Sequence, residues 1–436
     1  MLALMTLALV LTILSATGVW SPLPFLNGLV NNLVSLSDPD PKWTVRVGGK
    51  PDIAAVMDPA RVVVVGSRGF VDAYRVQDGK QAWHMTVNWV YPAANVVVAQ
   101  QRAANPDADP SPDRGYAVID PANGSVRWSE AEATAVWIYA ADLVDLVCPD
   151  DSRCVLRRRS HDTGAFVWQV SLPGNLRVAL RGPNPHLAGA RDPAGWFGAA
   201  AAGTAPSMPT VMALPAGDKV LLVDTFAGRL LREATVPDRE TRVAFVGDRL
   251  LFVRAERAEA GCRYLVEAFD VESGNSAWKE AGFDLDTARG AGCEQREDPM
   301  GVGGRLVVTG TDAKPMLVEA DNAARTWTGV PGERVLATDG RLVAIMAADR
   351  KTVRLVDAAA PDARALWSGA GGMDPQAAVT SAWVLILDRD ARKLTVLQRS
   401  SMRPALTIET TSDVIGYGST GIVITSGRSI GYFPLS

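Results

Sequence analysis

Histidine is nearly missing from this chain: only His84, His161 and His186 occur in 436 residues. They stand far apart, and no His-x-x-x-His or Cys-x-x-Cys spacing exists to gather a metal ion. Each is expected as a surface or turn residue. Adjacent cysteines are missing too, since Cys148, Cys154, Cys262 and Cys293 are all separated. There is no basic excess: 44 Lys and Arg face 48 Asp and Glu, for a net charge of −4. That removes the electrostatic footprint of nucleic-acid binding, and no polybasic run points to anionic lipid. Long runs with a 3.6-residue period are also lacking, which excludes a helical fold.

What is present is material for a large core, with 47% hydrophobic residues, 39 Gly and 27 Pro. Residues 1–20 carry no charge and are dominated by Leu, Ala, Val, Ile and Met. A bilayer span needs about 20 such residues, so the segment reads as a single-pass membrane anchor. The alternative is a secretory signal peptide with Ala16-Thr17-Gly18 as its cleavage site. The first basic residue is Lys42, so nothing upstream fixes an orientation. Residues 21–41 read as a linker, broken by Pro22 and Pro24 and ending in the stiff Asp38-Pro39-Asp40-Pro41. Residues 42–436 read as one domain.

That domain is built on one repeated frame. In residues 268–278, Asp270 is followed four positions later by Gly274 and eight later by Trp278. The frame recurs as Asp120, Gly124 and Trp128, as Ser160, Gly164 and Trp168, and as Arg75, Gly79 and Trp83. A further copy, Asp224 and Gly228, carries Arg232 in the Trp place. From Asp321 onward the interval drifts. A fixed period means one supersecondary unit copied many times, each covering its neighbour's apolar face.

Around each frame, short Val/Ile/Leu runs alternate with Gly, Asp, Asn and Pro turns, which is the strand signature. Unit 1 has strands A to D at 52–57, 61–66, 70–76 and 81–87. Units 2 to 8 place Trp128, Trp168, Arg232, Trp278, Trp327, Trp367 and Leu406 in their D strands. Neighbouring positions of this set lie mostly 39 to 49 residues apart, near the ~40–50 of four-stranded propeller blades. The chain then ends with three strands at 414–417, 422–425 and 429–433, and begins with an orphan strand at 42–47 carrying Trp43. Pairing the two would hide both edges. The literal count is nine units, but propellers usually have four to eight blades, and unit 4 is poorly patterned. Eight blades are expected.

The frame Ala-x-Asp-x-x-x-Gly-x-x-x-Trp resembles the repeat of the pyrroloquinoline-quinone-type β-propellers. That superfamily includes quinoprotein dehydrogenases and the non-enzymatic propeller lipoprotein of the outer-membrane β-barrel assembly machinery. The resemblance implies that Trp43, Trp83, Trp128, Trp168, Trp278, Trp327 and Trp367 staple neighbouring blades. A quinoprotein dehydrogenase would need the quinone, Ca²⁺, a carboxylate base and, typically, vicinal cysteines. The sequence instead resembles the non-enzymatic members: no enzyme, no cofactor and no metal site are expected.

Two other stretches invite a site. Residues 105–113 are acidic but lack EF-hand spacing, and read as a solvated loop. The triplet Arg157-Arg158-Arg159 alternates its side chains along a strand and reads as solvated rather than phosphate-binding. The cysteines are expected as Cys148–Cys154 across a B–C hairpin and Cys262–Cys293 between a B–C loop and a D–A connection. Loops of those two kinds share one rim, where a protein partner is expected. The functional expectation is a membrane-anchored, extracytoplasmic, non-catalytic binding or scaffold module. The alternatives are a quinone-dependent dehydrogenase, a small-ligand sensor, or a secreted rather than anchored protein.

Overall fold

The computed structural model describes residues 37–435, apart from 58–60, 67–68, 94, 102–113, 151, 175, 177–204, 239–240, 259–260, 286–292, 294–298, 361–363 and 411. The anchor or signal segment, most of the linker, the acidic loop and His186 therefore lie outside the described residues. Among those described there is no helix long and apolar enough to cross a membrane.

The described chain is all-β and antiparallel, in agreement with a propeller built from meanders. Unit 5 shows the plan: strands Arg242–Val246, Arg249–Ala258, Gly261–Asp270 and Ser276–Ala281 pair in sequence order. Units 3, 6, 7 and 8 are likewise four-stranded. Unit 4 shows three strands, Val211–Ala216, Lys219–Asp224 and Arg229–Thr235; its preceding stretch is not among the described residues. Units 1 and 2 share one seven-stranded sheet. Strand Gln81–Ala93 serves as D of unit 1 and runs on as A of unit 2. The D strand expected to end at Val87 therefore runs on to Ala93.

The two ends meet. Strand Trp43–Arg46 pairs with Ser429–Pro434, with Trp43 opposite Tyr432 and Arg46 opposite Ser429. This completes the last sheet, which also contains Asp413–Tyr417 and Gly421–Ser426.

Inner strands are buried on both faces and read as continuous apolar runs. Trp383–Asp388 and Leu342–Met346 are buried throughout. Outer strands alternate, as in Ala365–Ala370. The apolar side chains gather in clusters, each shared by two consecutive units. Val63, Val71 and Trp83 of unit 1 meet Val97 and Ile119 of unit 2. Leu146 and Leu156 of unit 3 meet Met212 and Leu221 of unit 4. Leu385 and Val396 of unit 8 meet Ile422 and Phe433 of the last sheet, whose Val423 and Tyr432 meet Val62 and Val64 of unit 1. Sheet thus packs on sheet along the chain and back to its start.

Candidate functional site

The C–D turns set the geometry between units. In unit 5 the Gly274 N–H donates to the Asp270 carbonyl at 2.8 Å, and Gly274 takes φ +71°. The Asp270 carboxylate accepts the Ser273 N–H at 2.8 Å and its hydroxyl at 2.9 Å. The Ser273 N–H first, then its hydroxyl, hold Asp270 below the usual carboxylate range. A register shift follows at Ala268/Phe269, which re-aims the D strand. The same closing bond and the same shift recur at Gly79, Gly124, Gly164 and Gly228.

The expected drift after Asp321 is corrected here. In unit 6 the frame runs from Glu319 through Ala323 (φ +57°) to Trp327, and in unit 8 from Gln398 through Met402 (φ +54°) to Leu406. Both keep the four-residue closing bond. The turn persists while its residue types change, which is why the letters lost it.

Each D-strand indole reaches across to the next unit's turn. Trp83 Nε1 donates to the Pro121 carbonyl at 2.8 Å, and its ring covers Gly124, where a Cβ would fall 2.8 Å from Cγ. Trp43 donates to Val76, Trp128 to His161, Trp168 to Thr225 and Trp278 to Ala320, all between 2.7 and 3.0 Å. Trp327 is buried with no partner on Nε1. The facing turn of unit 7 closes early, from Ala360 N–H to the Asp357 carbonyl at 3.1 Å. Trp367 packs with Met402.

The arginine triplet is not solvated, which corrects the sequence reading. Arg158 pairs with Asp142 at 2.6 Å, while Arg157 and Arg159 turn to the other face. There Asp145, fully buried, receives Arg157 Nε at 2.6 Å, Arg159 Nε at 2.9 Å and the Tyr116 hydroxyl at 2.8 Å. Glu130 completes the group, 3.0 Å from Arg157 and in contact with Arg159. Phe166 lies 4.2 Å from the Arg159 guanidinium. Burial, with Asp145 alongside, pushes the Tyr116 phenol well above its ordinary pKa. No sequence signal tied Glu130, Asp145 and Tyr116 to the triplet, because they join it only through strand pairing and sheet packing.

The histidines do not converge. His84 Nδ1 lies 2.6 Å from Asp72, a buried carboxylate that also accepts Gln81. His161 occupies a C–D turn as expected but is only 3% exposed, and its Nε2 has no partner. Burial holds its imidazole below the ordinary value. The folded protein therefore refuses a proton that the unfolded chain accepts below about pH 6.5. Stability is retained above that pH and falls as pH drops below it. The parent should lose more of its urea midpoint between about pH 7.5 and about pH 5.5 than His161→Gln does. Equal losses would refute this reading.

The rim where B–C hairpins emerge carries the disulfides. Cys148 and Cys154 are bonded across the hairpin of unit 3, with Cα atoms 4.1 Å apart. Cys293, in the D–A connection after unit 5, is disulfide-bonded, and no cysteine among the described residues is free. On the same rim the B–C hairpin of unit 5 outgrows its sheet. B and C stay paired from Arg249↔Asp270 to Ala258↔Gly261. Strand A accompanies them only to Val253, and strand D only as far as Leu265. Residues 254–258 and 261–263 form a two-stranded arm whose second strand includes Cys262. Among the described residues no group of His, Cys, Asp and Glu is arranged to hold a metal ion.

Comparison with known proteins adds a family. The model of the family described as outer membrane protein assembly factor BamB matches residues 25–138 and 262–408. No curated protein matches the chain in sequence. Among solved structures, BamB from Moraxella catarrhalis is similar at 10% identity and a TM-score of 0.38, covering 91% of this chain and 99% of that one. The computationally designed Ika8 protein gives 10% identity and 0.41, covering 89% and 98%. A eukaryotic initiation factor gives 10% and 0.48, covering 85% and 90%. Structural likeness this slight carries no argument about function.

Proposed function

This chain belongs to the family of the outer membrane protein assembly factor BamB, and on that premise we propose that it is a non-catalytic propeller that binds other proteins on the extracytoplasmic side of a membrane. The observation that carries this reading is the family match across both halves of the chain. Residues 1–20 hold it at the membrane, and residues 42–436 form the propeller, with 21–41 between them. We read the ring as nine blades rather than eight. What supports this is the circuit of apolar clusters, each shared by two consecutive units, with unit 4 counted and the shared sheet of units 1 and 2 counted twice.

The partner contacts the rim that carries the unit 5 arm. A hairpin that runs beyond its sheet is a place for an extended segment to add on. Cys262 bonds Cys293 and ties the arm to the D–A connection. Closing a loop of about 30 residues would stabilise the folded chain by roughly 3–4 kcal/mol in the chain-entropy account.

The experiment is photo-cross-linking in native cells from positions on the arm, with non-reducing peptide mapping and carbonate extraction of the same membranes. Cross-links to one protein should appear, and shortening the arm to a tight turn should abolish them without changing the melting temperature. The intact chain should stay in the membrane pellet. Cross-links that survive the shortening would refute the rim assignment. Purified protein that binds pyrroloquinoline quinone and oxidises alcohols with a dye would refute the non-catalytic reading.

A further inference from the structure

Unit 4 breaks the rule that an indole fills each seam. Arg232 stands opposite Leu222 in the pairing, the register that Trp83, Trp128, Trp168 and Trp278 hold in their own units. Its guanidinium rests on Gly274, where an added Cβ would fall 1.5 Å from Nη1. Beside it lies a cavity of about 160 Å³, lined in part by Phe252, Phe269, Leu250 and Asp270, whose carboxylate is already paired with Arg249 and Ser273. The two phenylalanine rings are tilted, with centroids 5.2 Å apart.

Three features of this seat are left unused. Arg232 makes no hydrogen bond or ion pair with any described residue, although it is half-buried. The carbonyl that would accept the indole N–H is that of Val271, one residue after Asp270, by analogy with Pro121, His161 and Thr225 in the other seams. No side chain among the described residues donates to it. The volume, finally, is that of a single ring: an apolar cavity of about 150 Å³ takes up benzene.

We infer that the seam between units 4 and 5 is a binding site for a single aromatic ring bearing a carboxylate. The ring enters the cavity beside the Arg232 guanidinium and packs against the touching Phe252 and Phe269 rings, in the offset or edge-on geometry that aromatic pairs prefer. The carboxylate meets the Arg232 guanidinium, whose fork suits two parallel hydrogen bonds. A larger ligand does not fit, since ordinary small-molecule pockets run to about 300 Å³ and more. The chemistry has two sources: a free aromatic acid, or the C-terminal aromatic residue of a peptide. This inference stands whether or not the rim binds a partner.

The test is ligand-observed NMR and titration calorimetry on the full chain. The probes are 3-phenylpropanoate, 3-phenylpropanamide, and a short peptide ending in Phe with its terminus free or amidated. The acid should bind about tenfold or more tighter than the amide, the gain expected of a charge-assisted hydrogen bond to a half-buried guanidinium. Arg232→Trp puts an indole where the guanidinium lies and should abolish binding while keeping the melting temperature. Arg232→Gln should bind acid and amide alike. Tighter binding of the free-terminus peptide than of phenylpropanoate would make a chain terminus the ligand, and the reverse would make it a small acid. Either result supports the site. No binding of any probe, or equal binding to wild type and Arg232→Trp, would overturn it. Should Arg232→Trp fail to fold, the acid-to-amide ratio in Arg232→Gln decides: an unchanged ratio overturns the site.

Discussion

Asp145→Ala should destabilise the protein by about 3–5 kcal/mol, the cost of removing one partner from a buried ion pair. Asp145 is fully buried and serves Arg157, Arg159 and Tyr116 at once. Its loss leaves two largely buried guanidinium groups sharing Glu130, together with an unsatisfied phenol. The change should appear as a lower urea midpoint with an unchanged slope, because the surface exposed on unfolding stays the same. Replacing the whole group by apolar side chains of similar size should cost far less, since no charge is then stranded. If the single and the combined replacements unfold at the same urea concentration, the group is not acting as a buried network.

Trp43→Ala should cost on the order of 3–5 kcal/mol, as for other large buried aromatics. The Trp43 ring stacks on Tyr432 at 5.3 Å and meets Tyr74 at 6.3 Å, while its Nε1 donates to the Val76 carbonyl. It therefore joins the last sheet to the turn of unit 1. Deleting residues 42–48 goes further. It strips the partner from strand Ser429–Pro434 and leaves an open edge, so the shortened chain should aggregate on refolding. A deletion that melts like the parent and stays monomeric in light scattering would show that the terminal strand is dispensable.

The repeat was legible because one backbone event, a turn closed by a residue at positive φ, strongly favours glycine. Gly79, Gly124, Gly164, Gly228 and Gly274 announced it. Ala323 and Met402 adopt the same conformation at a steric cost that the surrounding unit absorbs, and no letter marks them. The pairing of residues 42–47 with the C-terminal strands followed from an orphan strand at the start and a unit lacking its fourth strand at the end. The arginine triplet was misread for a different reason. Alternation gives the direction of a side chain but not what waits there, and Asp142, Asp145 and Glu130 are supplied by other strands. His161 was placed in its turn, but its burial depends on how neighbouring units pack around it. The arm of residues 254–258 and 261–263 was hidden because strand length shows only once the shorter neighbours are seen beside it.

The closing sheet also sets a timetable for synthesis. Trp43 leaves the ribosome long before its partner Tyr432, which lies hundreds of residues further along the chain. At about 5–20 residues per second, the first strand waits roughly 20 to 80 s for its mate. During that interval unit 1 lacks a neighbour on one side, and the waiting strand is free to pair with another nascent chain. Its shortness, four residues with Thr44 and Arg46 turned outward, limits that danger.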